Sequence, residues 1–257
     1  MANLRDLYLK YKPCIVRVTV ISRAGDHHTG TGFHIGDGLI VTARHVVQET
    51  VRKPSVVGEV DARESMTIDS VTRELDEQAL TVTKHHYHSD HTVDLVVLET
   101  DFEAHPFPDE SSRGGVSVRR SVAIPIGSHV DDWLSDQFVL CKVLIMGYPI
   151  VQWAKSSVLI TTEAEVNALV HNFRSPHPYF IISSTARGGF SGAPVICAAG
   201  SVIGVVIEAL YGNDKPEETG FNAAITLEPL ITILVDRGIQ PSCIPGDIWA
   251  RFLKARR

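Results

Sequence analysis

A serine in a glycine-rich segment is the first feature of this sequence that could do chemistry. In the segment TARGGFSGAPV, Ser191 lies between Phe190 and Gly192. Gly189 comes one residue earlier. Glycines beside a serine carry no Cβ atom that would obstruct an incoming carbonyl, and they permit a tight turn. Such a turn can direct backbone N–H groups at one point, which stabilises the oxyanion that forms during acyl transfer. A purely structural turn fits the same motif, so other residues are needed to distinguish a catalytic serine from a structural one.

A histidine and an aspartate supply the other two residue types that activate a serine nucleophile. The segment GTGFHIGDGLIVTARHVV places His45 directly after a strand-like run, and TVDLVVLET places Asp94 at the head of another. A histidine can accept the serine proton as general base, and an aspartate can orient that histidine. His34 is the alternative base, but it precedes a turn, so we prefer His45. The order His45, Asp94, Ser191 along the chain is the chymotrypsin-type order, which other triad folds do not share.

These segments resemble the trypsin-like serine peptidases, whose fold is that of chymotrypsin. GTGFHIGDGLIVTARHVV is similar to the strand, turn and strand around their histidine, DLVVLE to their aspartate strand, and RGGFSGAPV to their serine loop. The resemblance covers about residues 13 to 228 and is strongest to bacterial trypsin-like peptidases related to the high-temperature-requirement family, without a PDZ domain. Three motifs in the same order are far more specific than any one of them.

The resemblance implies an all-β fold of two six-stranded antiparallel β-barrels with the catalytic cleft between them. It implies a serine endopeptidase that forms an acyl-enzyme, with His45, Asp94 and Ser191 as the catalytic triad. The backbone N–H groups of Gly189 and Ser191 would form the oxyanion hole. Because water hydrolyses the acyl-enzyme, we expect no metal and no cofactor. The expected substrates are proteins or peptides.

The same resemblance implies a pocket for the side chain that precedes the scissile bond. No acidic residue lies at the expected base of this pocket, so selectivity for arginine or lysine is disfavoured, and we expect a small or medium apolar side chain. We expect Thr185 at the base of this pocket. The other expected residues are Ile207, Glu208 and Ala209 along one wall, and Gly220 and Asn222 on the opposite side.

Two positions depart from the pattern of secreted trypsin-like enzymes. Phe190 replaces the aspartate that pairs with a newly cut N-terminus, which predicts that N-terminal cleavage does not activate this chain. The Arg187–Gly188–Gly189 turn is then either preformed or ordered by substrate. Val46 replaces the cysteine that often follows the histidine, which removes the usual loop disulfide. We expect proteolysis to be restrained by narrow specificity, by a latent site or by a regulatory protein partner, and we prefer a latent site because the loop before Ser191 lacks this aspartate.

The elements that must position these residues are short strands. Runs rich in valine, isoleucine and threonine alternate with Gly, Pro, Asn and Asp, a pattern typical of all-β sandwiches and barrels. Helical periodicity is found only near the ends, behind Asn3, after Thr226 and from Asp247 onward. The strand signal is weakest over residues 101–136. We therefore predict a first unit over residues 1–115, comprising the N-terminal helix and first barrel, and a second over residues 116–257.

Composition limits the functional classes. The net charge of −6 and the pI near 6.0 argue against nucleic acid as the main partner, because phosphate binding requires a concentrated basic surface. No run approaches the roughly 18 apolar residues of a membrane span. The N-terminus lacks the apolar core of a secretory signal, so we expect a cytoplasmic protein. Four scattered cysteines without a CxxC pair fit reduced, buried thiols.

Three alternatives stay open at this point. The segment KHHYHSDH, residues 84–91, could bind a metal ion, although a solvated loop before Asp94 is the simpler interpretation. A catalytically latent or inactive protease-fold scaffold is a second possibility, although none of the three triad members is missing. An esterase or acyl transferase could use the same triad, because the geometry alone does not select peptide over ester.

Overall fold

The structure is a computed structural model of the chain. It describes residues 3–55, 58–105, 107–108, 118–119, 122–127, 136–171, 176–184, 188–211 and 218–255. The described part is mostly β. Its strands are β1 (Ile15–Ile21), β2 (His27–His34), β3 (Leu39–Ala43), β4 (Gln48–Ser55), β5 (Gly58–Ser65), β6 (Thr67–Arg73), β7 (Ala79–Leu80), β8 (Val82–Tyr87), β9 (Leu95–Thr100), β10 (Phe107–Pro108), β11 (Val118–Arg119), β12 (Lys142–Gly147), β13 (Ile160–His171), β14 (Pro178–Ser183), β15 (Pro194–Cys197), β16 (Val202–Tyr211) and β17 (Glu218–Thr226).

The first half of the chain forms a nearly closed antiparallel sheet in the order β7-β6-β1-β2-β3-β9-β8. The sheet has seven strands where six were predicted, and the additional strand is the two-residue β7, which pairs with β6. All five residues of β3 are buried, as are the first four of β9. Strands covered on both faces have continuous apolar sequences rather than alternating ones, which explains the runs LIVTA and LVVL. Strands β4 and β5 form a separate hairpin.

The second half forms a closed barrel in the order β12-β13-β14-β17-β16-β15. All neighbouring strands in it are antiparallel. The predicted fold class, a chymotrypsin-like all-β protein with two barrels, is confirmed. The boundary proposed at residues 115 and 116 lies outside the described residues.

Part of the connection between the barrels, residues 122–127, contacts both of them. The Ile124 N–H donates to the carbonyl of His34 in the first barrel at 3.0 Å. Val202 of the second barrel donates its N–H to the carbonyl of Pro125 at 3.0 Å. Ile124 and Ile126 are buried. The segment therefore bonds to each barrel as well as linking them in sequence.

Three longer helices lie near the chain ends, as predicted: α1 (Leu4–Tyr11), α3 (Glu228–Asp236) and α4 (Gly246–Ala255), with the one-turn α2 (Arg44–Val47) at the site. The Asn3 side chain caps α1 by accepting from the Arg5 N–H at 3.1 Å. Each long helix buries apolar side chains, including Leu7 of α1 and Phe252 of α4, so the end helices pack against the protein. None of the helices in the described ranges is long and apolar enough to cross a membrane.

The expectation of a solvated loop over residues 84–91 is wrong for its first half. Lys84–Tyr87 belong to β8, which pairs with β9. His86 is buried, and its Nε2 lies 2.5 Å from Glu99 Oε1. His88 is also buried. The polar sequence did not indicate this strand, because His86 is satisfied by a residue of β9: the Glu99 side chain reaches its ring from a position that pairs with Lys84.

Candidate active site

His45 and Asp94 are brought together by the pairing of β3 with β9. Ala43 lies opposite Leu95 in the register, so the residues that follow β3 and precede β9 are adjacent. His45 Nδ1 lies 2.5 Å from Asp94 Oδ2. The His45 backbone N–H donates to Asp94 Oδ1 at 2.8 Å. The aspartate therefore fixes both the backbone and the ring of the histidine, and Nε2 is the ring nitrogen left to act on a nucleophile.

The environment shifts both pKa values of this pair toward the ionised forms. Burial lowers the pKa of His45, but the hydrogen bond and charge of Asp94 outweigh burial, so the pKa is raised above the ordinary 6.5. Burial raises the pKa of Asp94, but the hydrogen bonds and charge of His45 lower it more, so the net pKa is below its usual 3.8. Asp94 is thus ionised at neutral pH and can stabilise an imidazolium.

Arg63 is a third charged residue at the pair, and sequence reasoning missed it. Its Nη1 lies 3.6 Å from Asp94 Oδ1, the oxygen that also accepts from the His45 backbone. Its positive charge lowers the pKa of both His45 and Asp94. Arg63 comes from β5, in a hairpin without any motif, so no sequence signal connected it with the triad.

The serine loop meets the first barrel at Gly192, through contacts too close for a side chain. Gly192 has φ +87°, and a Cβ atom there would lie 2.0 Å from the carbonyl oxygen of Thr31. The Thr31 N–H donates to the Ser191 carbonyl at 2.9 Å. On the other side, the Gly192 N–H donates to the Val206 carbonyl at 2.8 Å. Ser191 is therefore held between β2 of the first barrel and β16 of the second.

Thr31 also holds the turn before the serine. Its fully buried Oγ1 donates to the Gly189 carbonyl at 2.7 Å and accepts from the Tyr148 N–H at 3.0 Å. Gly189 has φ +102°, and a Cβ atom there would lie 2.1 Å from the Tyr148 carbonyl oxygen. For the N–H groups of Gly189 and Ser191, no backbone acceptor is found within the described residues. Both donors can thus serve as the predicted oxyanion hole.

Phe190 occupies the position of the missing aspartate as an apolar anchor. Only 3% of it is exposed, and its ring packs against Gly147 of β12, where an added Cβ would lie 2.8 Å from the ring. The Ile150 N–H also donates to the Gly188 carbonyl at 3.4 Å. Of the two expectations for the turn, these contacts favour a preformed one at Gly188–Gly189. Arg187 lies outside the described residues.

Ser191 and His45 line one cavity of about 320 Å³, together with Gly189. The Ser191 hydroxyl donates to the Ile207 carbonyl at 3.2 Å. The His45 side chain is 42% exposed, so its ring is accessible from solvent. A nucleophile, a base with its orienting carboxylate, and free backbone donors are therefore grouped at one accessible position, as acyl transfer requires.

The residues expected to form the substrate pocket lie along β16 and β17. Ile207 is buried, whereas the Glu208 side chain is exposed, and Ala209 pairs with Asn222 across the two strands. Asn222 is also buried, and its Nδ2 donates to the Ser184 carbonyl at 2.9 Å. Asn222 thus holds the chain that leads to the pocket base rather than offering its amide to a substrate.

Gly220 joins the same arrangement, because its carbonyl accepts from the Ser184 N–H at 3.1 Å. Thr185, the expected base of the pocket, lies outside the described residues. The preference for an apolar side chain therefore stays a prediction.

His34, the alternative base, lies away from the serine. It is fully buried, and its ring stacks on Phe102 at a centroid distance of 3.9 Å. Its Nδ1 lies 3.1 Å from the Val122 carbonyl oxygen, and its Nε2 accepts from the Gly38 N–H at 3.3 Å. Both ring nitrogens are thus engaged: Nδ1 contacts the connection between the barrels, and Nε2 contacts the turn between β2 and β3. The structure favours His45 over His34.

The metal hypothesis gains no support. In the described ranges, no group of three or more His, Cys, Asp or Glu side chains is arranged to hold a metal ion. All four cysteines are free. Burial raises the pKa of the Cys14 thiol, and it raises that of Cys243 to about 12, so neither is a reactive thiolate.

Solved structures share the fold of this chain at low sequence identity. The active form of the Rv3671c protease from M. tuberculosis matches with TM-score 0.58 and 19% identity, covering 91% of this chain and 86% of that one. A serine endoprotease from Yersinia pestis matches with TM-score 0.57 and 18% identity, covering 92% and 66%. The HtrA-type protease AlgW with tripeptide matches with TM-score 0.58 and 16% identity, covering 93% and 65%. At such identities these matches demonstrate the fold.

The family follows from the sequence itself. Comparison with curated proteins gives no match. A family model described as the trypsin-like peptidase domain matches residues 30–205, which include His45, Asp94 and Ser191. This range is more than half of the chain and spans both barrels. The chain therefore belongs to the trypsin-like peptidase family.

Proposed function

We propose that the protein is a serine endopeptidase in which His45, Asp94 and Ser191 form the catalytic triad. The observation that carries the proposal is the His45–Asp94 pair, joined at 2.5 Å, on the same cavity as Ser191. His45 takes the Ser191 proton as Oγ attacks the scissile carbonyl, and it then protonates the leaving amine. Asp94 holds the imidazole tautomer and stabilises the imidazolium.

The backbone N–H groups of Gly189 and Ser191 bind the oxyanion in this mechanism. Thr31 supports it by holding the Gly189 carbonyl, which keeps the adjacent peptide in place without using either donor. Water then hydrolyses the acyl-enzyme with His45 as base, and Ser191 regains its proton. Peptides or proteins are the substrates that the family implies.

A latent enzyme is the second candidate, favoured by one observation. The Ser191 hydroxyl donates to the Ile207 carbonyl at 3.2 Å. In this state the serine proton is directed at a carbonyl that is no base. Activity then requires a rotation of the Ser191 side chain toward His45, which substrate or a regulatory protein partner would favour.

Labelling with a serine-directed fluorophosphonate separates the two candidates. In a functional triad, Ser191 Oγ displaces fluoride from phosphorus, so the folded wild type is labelled once, and the Ser191→Ala and His45→Ala variants are not. Ser157→Ala, which removes an exposed serine away from the cavity, should be labelled like wild type. Peptide turnover of Ser191→Ala should fall by on the order of 10⁶. A folded wild type that stays unlabelled across neutral pH supports the latent candidate and contradicts an enzyme active on its own.

A further inference from the structure

The cavity at Ser191 extends toward the first barrel, away from the expected pocket for the acyl group. Beyond the reacting residues its lining consists of His28, Thr29, Val46, Glu49 and Met66. His28 and Thr29 come from β2, Val46 from α2, Glu49 from β4, and Met66 is the residue after β5, so all five precede the second barrel. Within the described ranges, no lining residue comes from β16 or β17. The two sides of Ser191 are therefore chemically distinct.

The first-barrel side is the side on which the leaving group departs. The pocket expected for the acyl side of the substrate lies along β16, and in the proposed mechanism His45 transfers its proton to the leaving amine. The amine must then lie on the His45 side of Ser191 when the peptide bond breaks. Val46 follows His45 directly, so the residue after the scissile bond enters the cavity that Val46 and Met66 line.

This cavity combines an apolar floor with a carboxylate. Val46 is 6% exposed, and Met66 packs against the core, so the two form an apolar surface. Glu49 is half-buried at the same cavity. Its Oε1 accepts from the backbone N–H of Arg23 at 3.3 Å, but the Arg23 guanidinium pairs with Glu64 instead.

The Glu49 charge is thus not neutralised by that arginine. Among the side chains that the structure describes, no cation forms an ion pair with Glu49. A half-buried carboxylate at the end of an apolar surface suits a side chain with an aliphatic stem and a cationic head.

We propose that this cavity selects a lysine or arginine in the residue that follows the scissile bond, with Glu49 as the specificity-determining residue. The aliphatic stem lies on Val46 and Met66, and the cationic head pairs with the Glu49 carboxylate. The inference rests on the proposed function and adds the substrate class on the leaving-group side, which is separate from the apolar preference expected on the acyl side.

The partitioning of the acyl-enzyme between water and added amines measures the amine preference of the leaving-group side, separately from the preference on the acyl side. A chromogenic ester of an acylated apolar amino acid forms the acyl-enzyme and releases its phenol. The α-amine of an added amino acid amide then attacks the acyl carbonyl, the bond to Ser191 Oγ breaks, and the amine proton returns to Ser191 through His45. Mass spectrometry gives the ratio of aminolysis to hydrolysis products for lysine amide, for norleucine amide, which has the same four side-chain carbons but no amino group, and for glutamate amide.

Wild type should form more product with lysine amide than with norleucine amide, and least with glutamate amide. Glu49→Gln still accepts from the Arg23 N–H, so it should fold, and it should lower the lysine-to-norleucine ratio about fivefold, as expected for one partly screened ion pair. Glu49→Lys should favour glutamate amide. Glu163→Gln, which removes an exposed carboxylate on the second barrel, should leave the ratio unchanged.

The outcomes separate this inference from the proposed function. Release of the phenol with no lysine preference, or a preference that survives Glu49→Gln, overturns the inference and leaves the endopeptidase proposal in place. A wild type that releases no phenol and is not labelled by the fluorophosphonate overturns both.

Discussion

At the scale of single residues, the imidazole of His45 lies between opposing charges. Burial lowers its pKa, Asp94 raises it through a hydrogen bond and its charge, and the charge of Glu208 raises it further. Arg63 acts in the opposite sense and lowers it. A general base must be neutral to accept a proton, so its pKa sets the lowest pH at which the enzyme works. Arg63 therefore extends the working range toward acid.

The pH dependence of the free enzyme tests this role of Arg63. Because the His45 pKa is raised, kcat/KM for an uncharged ester should fall on acidification with a midpoint above pH 6.5, which is the acid limb of its pH profile. Arg63→Gln removes a positive charge that lowers the pKa, so the pKa should rise and the acid limb should move to still higher pH. Stopped-flow or initial-rate measurements at low ionic strength, where screening is weak, give the limb directly.

Arg63→Lys is the matched control, because it keeps the positive charge. Its acid limb should stay near that of wild type. An Arg63→Gln limb that is unmoved, or moved toward acid, would contradict a direct effect of this charge on His45.

At the scale of elements, the serine loop of the second barrel is held by a strand of the first. Thr31 of β2 binds the loop at two points, because its N–H donates to the Ser191 carbonyl and its Oγ1 donates to the Gly189 carbonyl. The same Oγ1 accepts from the N–H of Tyr148, the residue after β12. The Thr31 carbonyl accepts from Thr42 Oγ1 at 2.6 Å, which ties Thr31 to β3. The oxyanion donors are thus positioned relative to His45 through β2 and β3.

Thr31→Val should weaken catalysis more than folding. Valine has nearly the shape of threonine, but it leaves the buried Gly189 carbonyl and Tyr148 N–H without their partner. An unsatisfied buried group costs about 1–3 kcal/mol, and if the loop shifts as a result, kcat falls roughly tenfold to hundredfold. The expected result is a lower kcat with a KM near that of wild type, measured on a peptide substrate.

Thr31→Ser keeps the hydroxyl and should recover most of the activity, which a merely steric role of Thr31 would not predict. A thermal denaturation midpoint for each variant shows whether the loss is local. Equal kcat values for Thr31→Val and wild type would exclude Thr31 as a positioning residue.

What the sequence could predict at this scale depends on whether a residue lies beside a recognisable strand. His45 and Asp94 each sit beside a recognisable apolar run, so their meeting follows once β3 and β9 are known to pair. Thr31 lies in the segment GTGFHIGDGLIVTARHVV, but nothing in that segment indicates its three contacts, which join residues from distant parts of the chain. Glu49 and Arg63 belong to a polar hairpin whose pairing no periodicity indicated. The contacts of Thr31, Glu49 and Arg63 therefore could not be predicted from the sequence.

At the scale of the whole molecule, the N-terminal helix links the start of the first barrel to the second barrel. Tyr11, at the end of α1, is 1% exposed, and its hydroxyl donates to the Gly200 carbonyl at 2.7 Å. Gly200 lies in the turn between β15 and β16, whereas the chain after α1 continues directly into β1. The cleft between the barrels holds His45 on one side and Ser191 on the other. Contacts that join the barrels therefore preserve the site.

Tyr11→Phe tests how much this link contributes to stability. The change keeps the buried ring but deprives the Gly200 carbonyl of its donor, so the free energy of unfolding should fall by about 1–3 kcal/mol. Urea denaturation followed by tryptophan fluorescence and by far-ultraviolet circular dichroism measures it.

Tyr8→Phe, on the same helix but only half-buried, is the matched control and should change the free energy of unfolding by less than about 0.5 kcal/mol. Because the barrels share α1, the two signals of Tyr11→Phe should still change together. Equal effects of the two variants would show that α1 contributes only its apolar surface, and separate transitions would show that the link through Tyr11 is what couples the barrels.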